Sequence, residues 1–319
     1  MKKFLFVLSL LLIAISFYSC QNDEDLQNTL NLEYSSVSLD SDPLIANLKN
    51  LNDSLLQSKD SIDESRSISG FFKNLKQLAV IYADIKGAIE GAKLGFKWGK
   101  GHGLLSSLAG SAVFAAVMSA MYSAMAAITN SSSNMEQVNI NFDQERVELA
   151  YVNSVLRQDL VSNELERCSK VKINIPQKNC KDYEAGIHHN ITLRLILNEG
   201  DLYNYNLEDA LSYTELQTLH SREYMNSYKT AYTNPEVFSL SYEVENPSKE
   251  DKVIQLFLDA YKDYVDNLDD VNDLINNYIS IIEKDTNITD EEKSAVYSAL
   301  STAAFSSNYW YQKHSRNNE

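Results

Sequence analysis

The chain has 319 residues, of which 28 are basic and 44 are acidic, so its formal net charge at pH 7 is −16. An acidic balance of this size argues against nucleic acid as a partner. The length allows one large domain or two small ones, and only 4 prolines and 10 glycines indicate long helices with few tight turns.

The first twenty residues, MKKFLFVLSLLLIAISFYSC, have the three-part layout of a secretory signal. Two lysines precede an apolar run, and small and aromatic residues then lead to Cys20. A cysteine in this place resembles the lipobox of bacterial lipoproteins, which implies that Cys20 is lipidated and becomes the first mature residue. Phe17 departs from that pattern, because a smaller aliphatic residue is usual there. An ordinary signal peptide with an incidental cysteine is the alternative.

The mature chain would open with CQNDEDLQN. An acidic cluster behind a lipidated cysteine resembles the surface-export signal of lipoproteins in Bacteroidetes, and a solvated run of charges is the alternative. The resemblance implies a lipid-anchored protein that is exposed on the outer face of the outer membrane, or one that is secreted from it. We interpret residues 1–19 as the signal peptide and residues 20–42 as an acidic tether.

Residues 43–66 are predicted to form an amphipathic helix and an exposed break. Leu44, Leu48, Leu51 and Leu55 recur at three- and four-residue spacings, as on one face of a helix. The serine-rich stretch SIDESRSISG follows and contains Arg66 and Ser67 in its middle.

Glycine recurs at every fourth position in the next segment, at Gly87, Gly91, Gly95, Gly99 and Gly103. Glycine costs about 1 kcal/mol relative to alanine inside a helix in water, so five in register need another reason. Residues four apart lie along one helix face, and small residues at that spacing let helices pack closely in lipid. This pattern therefore predicts a glycine zipper whose smooth face receives another helix.

An uncharged run of 26 residues, from Gly103 to Ile128, follows the glycines. As a helix it would span about 39 Å, more than a hydrocarbon core of about 30 Å. We predict a membrane-active helical hairpin in residues 67–130, with aromatic and basic anchors at the membrane interface, namely Trp98, Lys93, Lys97 and Lys100. The alternative is the central helix of a large soluble bundle, and the two are compatible if the hairpin stays buried until it is triggered.

Residues 131–319 are predicted to form an α-helical domain, because helical periodicity recurs and no strand pattern competes. One helix is predicted to end near Cys168, and the last helix to open with a capping box of Thr289 and Glu292. Cys168 and Cys180, in an exported protein, predict a disulfide that would contribute about 3 kcal/mol. The predicted fold class is an all-α helical bundle around a central glycine-zipper and apolar hairpin.

No residues nominate themselves for catalysis, and we predict neither an enzyme nor a metal or cofactor. The chain has no HExxH, G-x-S-x-G, Walker or Rossmann motif. His188 and His189 would point about 100° apart on a helix, so a structural role, capping or bridging helices, is expected for His189 and Asn190. The acidic run 263–273 lacks the glycine and terminal glutamate of a calcium-binding hand, which favours a solvated helix face.

Two further stretches carry a resemblance. Residues 186–193 fit G-x-x-H-N-x-x-L, with Gly186, His189 and Asn190 in the motif, and a helix closes on Ser-Ser-x-Tyr-Trp at Trp310. Together they resemble a set of lipoproteins and secreted proteins of Bacteroidetes over residues 180–312.

The layout of lipoprotein signal, glycine-zipper hairpin and helical domain also resembles secreted antibacterial toxins of gut Bacteroidales that a clostripain-like protease activates. That resemblance implies a bacteriocin that permeabilises the membranes of related bacteria after cleavage between Arg66 and Ser67. The implied partners are a bacterial membrane or lipopolysaccharide, the activating protease and further copies that associate through the glycine face. A non-catalytic helical surface lipoprotein for binding or envelope assembly is the competing hypothesis.

Overall fold

The computed structural model describes residues 42–60, 75–99, 104–131, 144–203, 244 and 246–317, and every structural statement below refers to them. Within these ranges the regular structure is helical, and the predicted all-α fold class is confirmed. The α-helices are α1 (Pro43–Asp60), α2 (Leu75–Gly99), α3 (Leu104–Ser131), α4 (Gln144–Leu156), α5 (Gln158–Arg167), α6 (Cys180–Ile196), α7 (Lys249–Tyr264), α8 (Leu268–Lys284) and α9 (Asp290–Asn317).

The antiparallel hairpin of α2 and α3 lies at the centre of the bundle. α9 packs against α6 and against both helices of this hairpin, while α6 packs against α3 and α4 packs on α6. α7 and α8 pack on α9, and α1 packs on α7 and α8. The described residues from Asp42 onward belong to one compact unit, and those of the segments 67–130 and 131–319 share one hydrophobic core.

The predicted amphipathic helix is confirmed as α1. Leu44 and Leu48 have no exposed surface, as the leucine spacing required. Asn52 fixes the register, because its amide donates to the Leu256 carbonyl at 2.9 Å and its oxygen accepts from the Tyr278 hydroxyl at 2.9 Å. The predicted cleavage position at Arg66 and Ser67 lies outside the described residues.

The single helix predicted to end near Cys168 is wrong, because the chain breaks into α4 and α5 at Arg157. The backbone of Arg157 is extended, with φ −92° and ψ 93°. Its guanidinium donates to the carboxylate of Asp159 and lies 4.5 Å over the ring of Tyr203. The contacts at the break are made by the polar side chain of Arg157. The spacing of the hydrophobic residues therefore gave no sign of it.

The acidic run 263–273 also contains a helix break, so it is not one continuous solvated face. α7 ends at Tyr264, and α8 begins behind Asn267, whose side chain accepts from the backbone N–H groups of Asp269 and Asp270. The Asp270 carboxylate accepts in return from the backbone N–H of Asn267, which completes a capping box. The capping box predicted at Thr289 and Glu292 is confirmed, since each side chain accepts from the other residue's backbone N–H.

The predicted disulfide is not formed, because both cysteines are free. Cys168 is buried, where its thiol donates to Glu164 Oε1 at 3.3 Å and accepts from Asn308 Nδ2 at 3.2 Å. Cys180 is exposed at the start of α6.

Two asparagines of α8 hold the chain between the cysteines in an extended course. Asn272 pairs with the backbone of Lys170 and Lys172, and Asn276 pairs with that of Lys172 and Asn174, at distances of 2.8–2.9 Å. Asn272 and Asn276 lie one helical turn apart on α8, so their side-chain amides bond the extended backbone as the main chain of a neighbouring strand would. The segment is thus fixed along α8, without a covalent bond between its ends.

Candidate functional site

The glycine face of α2 is in direct contact with the backbone of α3. A Cβ atom added to Gly91 would lie 2.3 Å from the carbonyl oxygen of Phe114, and one added to Gly95 would lie 2.1 Å from that of Gly110. At Gly87 the nearest atom is the Cα of Ser119, at 2.8 Å. The predicted smooth face therefore receives a helix of the same chain. Gly99 ends α2 in a buried position, and Gly103 lies outside the described residues.

α3 is the one helix in the described ranges that is long and apolar enough to cross a membrane, by length and composition alone. The relevant stretch is Gly110–Ala127, and 89% of it is buried inside the bundle. It has no polar face, as expected for a helix that is surrounded on all sides by protein or by lipid.

The predicted membrane anchors have other roles in this fold. Lys93 forms an ion pair of 2.5 Å with Asp251 and donates to Ser248, so it binds the capped N-terminus of α7. Lys97 is exposed at the end of α2, Trp98 is partly buried and its ring lies against Gly110, and Lys100 falls outside the described residues.

A buried polar centre forms where α2, α3, α6 and α9 meet. Asp84 of α2 has no exposed surface, and its Oδ2 accepts from the Trp310 indole N–H at 3.1 Å and from the hydroxyl of Ser306. The indole also lies 3.2 Å from the Ser123 hydroxyl of α3. His189 of α6 completes the centre, with its Nε2 3.8 Å from Asp84 Oδ2.

The second nitrogen of His189 binds the hairpin from the other side. Its Nδ1 lies 2.8 Å from the Ser119 hydroxyl of α3, which also donates to the Ala116 carbonyl at 3.1 Å. α6 thus contacts α2 through Asp84 and α3 through Ser119, and a single side chain bridges both parts of the hairpin.

Burial keeps both ionisable groups of this centre neutral. Burial raises the pKa of Asp84 from 3.8 to about 8, although hydrogen bonds from Ser123, Ser306 and Trp310 act to lower it. Burial lowers the pKa of His189 from 6.5 to about 3. At neutral pH the folded protein therefore holds a protonated aspartic acid beside a neutral imidazole.

A serine, a histidine and an aspartate stand in line here, but their arrangement does not suit nucleophilic catalysis. Ser119, His189 and Asp84 have no exposed surface, so a substrate has no path to the hydroxyl. The distance of 3.8 Å between His189 and Asp84 is too long for the hydrogen bond that orients a catalytic imidazole. These three residues hold helices together.

The G-x-x-H-N-x-x-L motif forms the crossing of α6 and α9. A Cβ atom on Gly186 would lie 2.7 Å from the Ser301 carbonyl oxygen, so glycine lets the two helices touch. Asn190 donates to the Phe305 carbonyl of α9 at 3.0 Å and to Glu164 Oε1 of α5 at 2.8 Å. Together with Trp310, the motif residues thus meet at one place, although more than a hundred positions separate them.

Glu164 is paired within this crossing and has only 1% of its side chain exposed. Arg194 donates to its carboxylate at 2.8 Å and lies 4.4 Å over the ring of Tyr309. The carboxylate also accepts from Asn190 and from the thiol of Cys168. This acceptor joins α5 to α6, and its partners Asn190 and Arg194 in turn contact α9.

We expect Glu164→Ala to lower the free energy of unfolding by about 1.5–3 kcal/mol, because Arg194 loses its buried partner and keeps only Glu199, at 3.1 Å. Urea denaturation followed by circular dichroism measures the loss. Glu166→Ala is the control, since Glu166 is exposed on the same helix and should change stability by no more than about 0.5 kcal/mol. Equal effects of the two substitutions would contradict a buried role for Glu164.

The polar partners on the hairpin were not selected from the sequence as site residues. Asp84 is the one acidic residue in the apolar run LAVIYADI. An isolated acid in such a run is the sequence signal that could have identified it as a buried polar residue. Ser119 and Ser123 lie among the small residues of the uncharged run, where nothing in the pattern marks them as polar partners. Their hydrogen bonds depend on α6 and α9, which follow much later in the chain.

No protein-family model, no curated protein and no solved structure matches this chain.

Proposed function

We propose that this protein is a surface-exposed or secreted lipoprotein toxin that permeabilises the membranes of related bacteria with the hairpin of α2 and α3. The observation that carries the proposal is α3, a helix of membrane-spanning length whose apolar surface is covered by the other helices of the bundle. The lipobox at Cys20 and the acidic residues behind it would bring the protein to the cell surface, where neighbouring bacteria are within reach.

The contact between α2 and α3 is of a kind that survives transfer to lipid. Gly91 and Gly95 let the helix backbones touch at Phe114 and Gly110, so the pair is held by close packing. Close packing of small residues drives helix association where lipid has removed the hydrophobic force. The hairpin could therefore leave the bundle as one unit.

The other helices bind the hairpin through a few polar contacts in addition to apolar packing. Lys93 pairs with Asp251 of α7, and the hydroxyl of Tyr82 donates to the Leu258 carbonyl. The centre at Asp84 adds hydrogen bonds to α9. Breaking these contacts, as cleavage after Arg66 would promote by separating the hairpin from α1, would expose the apolar surface of α3.

α3 is the part that would cross the membrane, with α2 beside it. The stretch Gly110–Ala127 carries no charge, whereas α2 carries Lys76, Lys86, Glu90, Lys93 and Lys97. The neutral Asp84 lies on the opposite side of α2 from Lys86, Glu90, Lys93 and Lys97. Charged residues are costly in a bilayer core and are found next to water-filled cavities or at the interface. The charged side of α2 would accordingly face a pore or the lipid headgroups, and lysines would draw the hairpin to anionic lipid or lipopolysaccharide.

The test compares the mature protein before and after cleavage behind Arg66. We expect the cleaved protein to release dye from anionic vesicles and to kill related strains, with the intact protein much less active. Arg66→Gln is the matched control, because it removes the cleavage position and should stay inactive after protease treatment. The proposal fails if the cleaved protein neither releases dye nor kills any related strain.

A permanent helical core is the second candidate, in a surface lipoprotein for binding or envelope assembly. It is favoured by the number of helices that share the polar centre, since Asp84 and Ser119 of the hairpin contact α6 and α9. Under this alternative the hairpin never leaves the bundle, and cleavage behind Arg66 leaves vesicles intact at every protein concentration.

A further inference from the structure

The contact between His189 and Asp84 joins the two parts of the protein that the proposed function would separate. Asp84 belongs to the hairpin, and His189 belongs to α6, which would stay in water. His189 Nε2 and Asp84 Oδ1 are buried and, within the described ranges, have no hydrogen-bond partner. His189 Nε2 lies 3.8 Å from Asp84 Oδ2, so the imidazole and the carboxyl are in contact without a hydrogen bond between them.

We propose that this contact is a proton-sensitive lock, which protonation of His189 in mild acid opens so that the hairpin can enter a membrane. The inference rests on the proposed function, because it concerns the release of the same hairpin.

The surroundings of His189 cannot accommodate a positive charge while Asp84 is neutral. α3 contributes the hydroxyl of Ser119, and α4 packs its Tyr151 against the neighbouring His188, with ring centroids 6.1 Å apart. On the side of Asp84, α7 contributes Tyr261, whose pKa is raised by burial and whose hydroxyl is hydrogen-bonded to that of Ser307. The titratable carboxyl placed next to the imidazole is that of Asp84, which burial keeps protonated.

The number of bound protons decides what acid does to this pair in water. In the folded protein Asp84 is protonated and His189 is neutral. In the unfolded chain, between the ordinary pKa values of 3.8 and 6.5, the aspartate has lost a proton and the histidine has gained one. The two states bind equal numbers of protons, so this pair makes unfolding in water insensitive to pH within that window.

When the hairpin moves into a membrane, the released and the folded states bind different numbers of protons. Asp84 stays protonated in the bilayer, because a low dielectric disfavours its charge as protein burial does. His189 remains in water on α6 and takes up a proton below its ordinary pKa of 6.5. The released state then holds one proton more than the folded state, which favours release by up to about tenfold for each pH unit of acidification.

Binding to zwitterionic vesicles tests the lock, because the charge of such lipids does not change in mild acid. The full mature chain, intact and cut after Arg66, is sedimented with vesicles at about pH 7 and about pH 5, and dye release is read in parallel. Relative to His189→Gln, we expect the binding constant of the wild-type protein to rise about twentyfold between these conditions. His314→Gln, which replaces a partly buried histidine near the end of α9, should behave as the wild type does.

The wild-type protein and a second variant keep the test decisive if His189→Gln does not fold. His189→Asn also lacks a group that titrates in mild acid but keeps an amide that can bond Ser119, and a folded His189→Asn should not show the rise. The lock is refuted if wild-type binding is unchanged by acid, or if a folded His189→Gln shows the same rise.

The two proposals fail in different ways. If vesicle binding rises in acid in the wild type but not in His189→Gln, and no dye is released, permeabilisation is refuted and the lock is supported. Dye release that is equal at both pH values in the wild type and in His189→Gln would refute the lock and support the toxin.

Discussion

Replacing Gly91 and Gly95 by alanine is expected to destabilise the protein strongly, against the intrinsic preference of a helix. Alanine improves helix propensity by about 1 kcal/mol per position. The new methyl groups, however, would lie 2.3 Å and 2.1 Å from carbonyl oxygens of α3, closer than carbon and oxygen can approach. Because these are backbone atoms, the whole of α3 has to move away, and overpacking of this kind costs about 1–3 kcal/mol or more per site.

Urea denaturation of each single variant and of the double variant measures this effect. The two sites share one interface, so the double variant need not lose the sum of the single losses. Gly200→Ala is the matched control, because its methyl group would meet only the tip of the Leu195 side chain, at 3.1 Å. Unchanged stability of Gly91→Ala would show that α2 and α3 are not in backbone contact.

The same contact changes how the toxin and the permanent core can be told apart. A large residue at Gly91 or Gly95 would disrupt the pairing of α2 with α3 in the bundle. It would disrupt the same pairing in a released hairpin. Both hypotheses then predict loss of the folded protein. The discriminating experiments are those that leave the glycines intact, namely cleavage behind Arg66 and titration of His189.

Asp84→Asn is expected to stabilise the protein progressively as the pH rises, although it changes a fully buried and hydrogen-bonded side chain. The folded-state pKa of Asp84 is raised from 3.8 to about 8, so the folded protein keeps a proton that the unfolded chain loses. Its contribution to stability is complete below pH 3.8 and is lost as the pH rises towards 8. Asparagine cannot ionise, and relative to it the wild-type folding equilibrium should weaken by up to about tenfold per pH unit in that window.

Denaturation of both proteins at a series of pH values gives the difference directly, since every other titrating group cancels. Asp182→Asn serves for comparison, because the pKa of Asp182 is raised by less than that of Asp84. Burial raises the pKa of Asp182 to about 6, against hydrogen bonds from Ser294, Asn179 and Ser298, so its divergence from the wild type should end near pH 6. A constant difference between Asp84→Asn and the wild type would mean that Asp84 is ionised in the folded protein.

Local patterns in the sequence were sufficient to predict the helical class and several of its parts. The leucines of α1, the box of Thr289 and Glu292, and the four-residue glycine spacing of α2 are all set by the helix repeat, which acts over a few residues. The regular glycines predicted a close helix contact but could not name its partner. Phe114 and Gly110 occupy that place because α3 turns back along α2.

Contacts between distant segments decided everything else. Asp84 could not be recognised as a neutral acid, because its environment comes from His189, Ser306 and Trp310, which are brought together only by the packing of α6 and α9. The predicted disulfide was wrong for the same reason, since Asn272 and Asn276 hold the intervening chain along α8. The sequence by itself determined the helices and the membrane-length apolar run. Only the tertiary structure decided that this run is covered and which polar groups hold it, because burial and hydrogen bonding depend on neighbours in space.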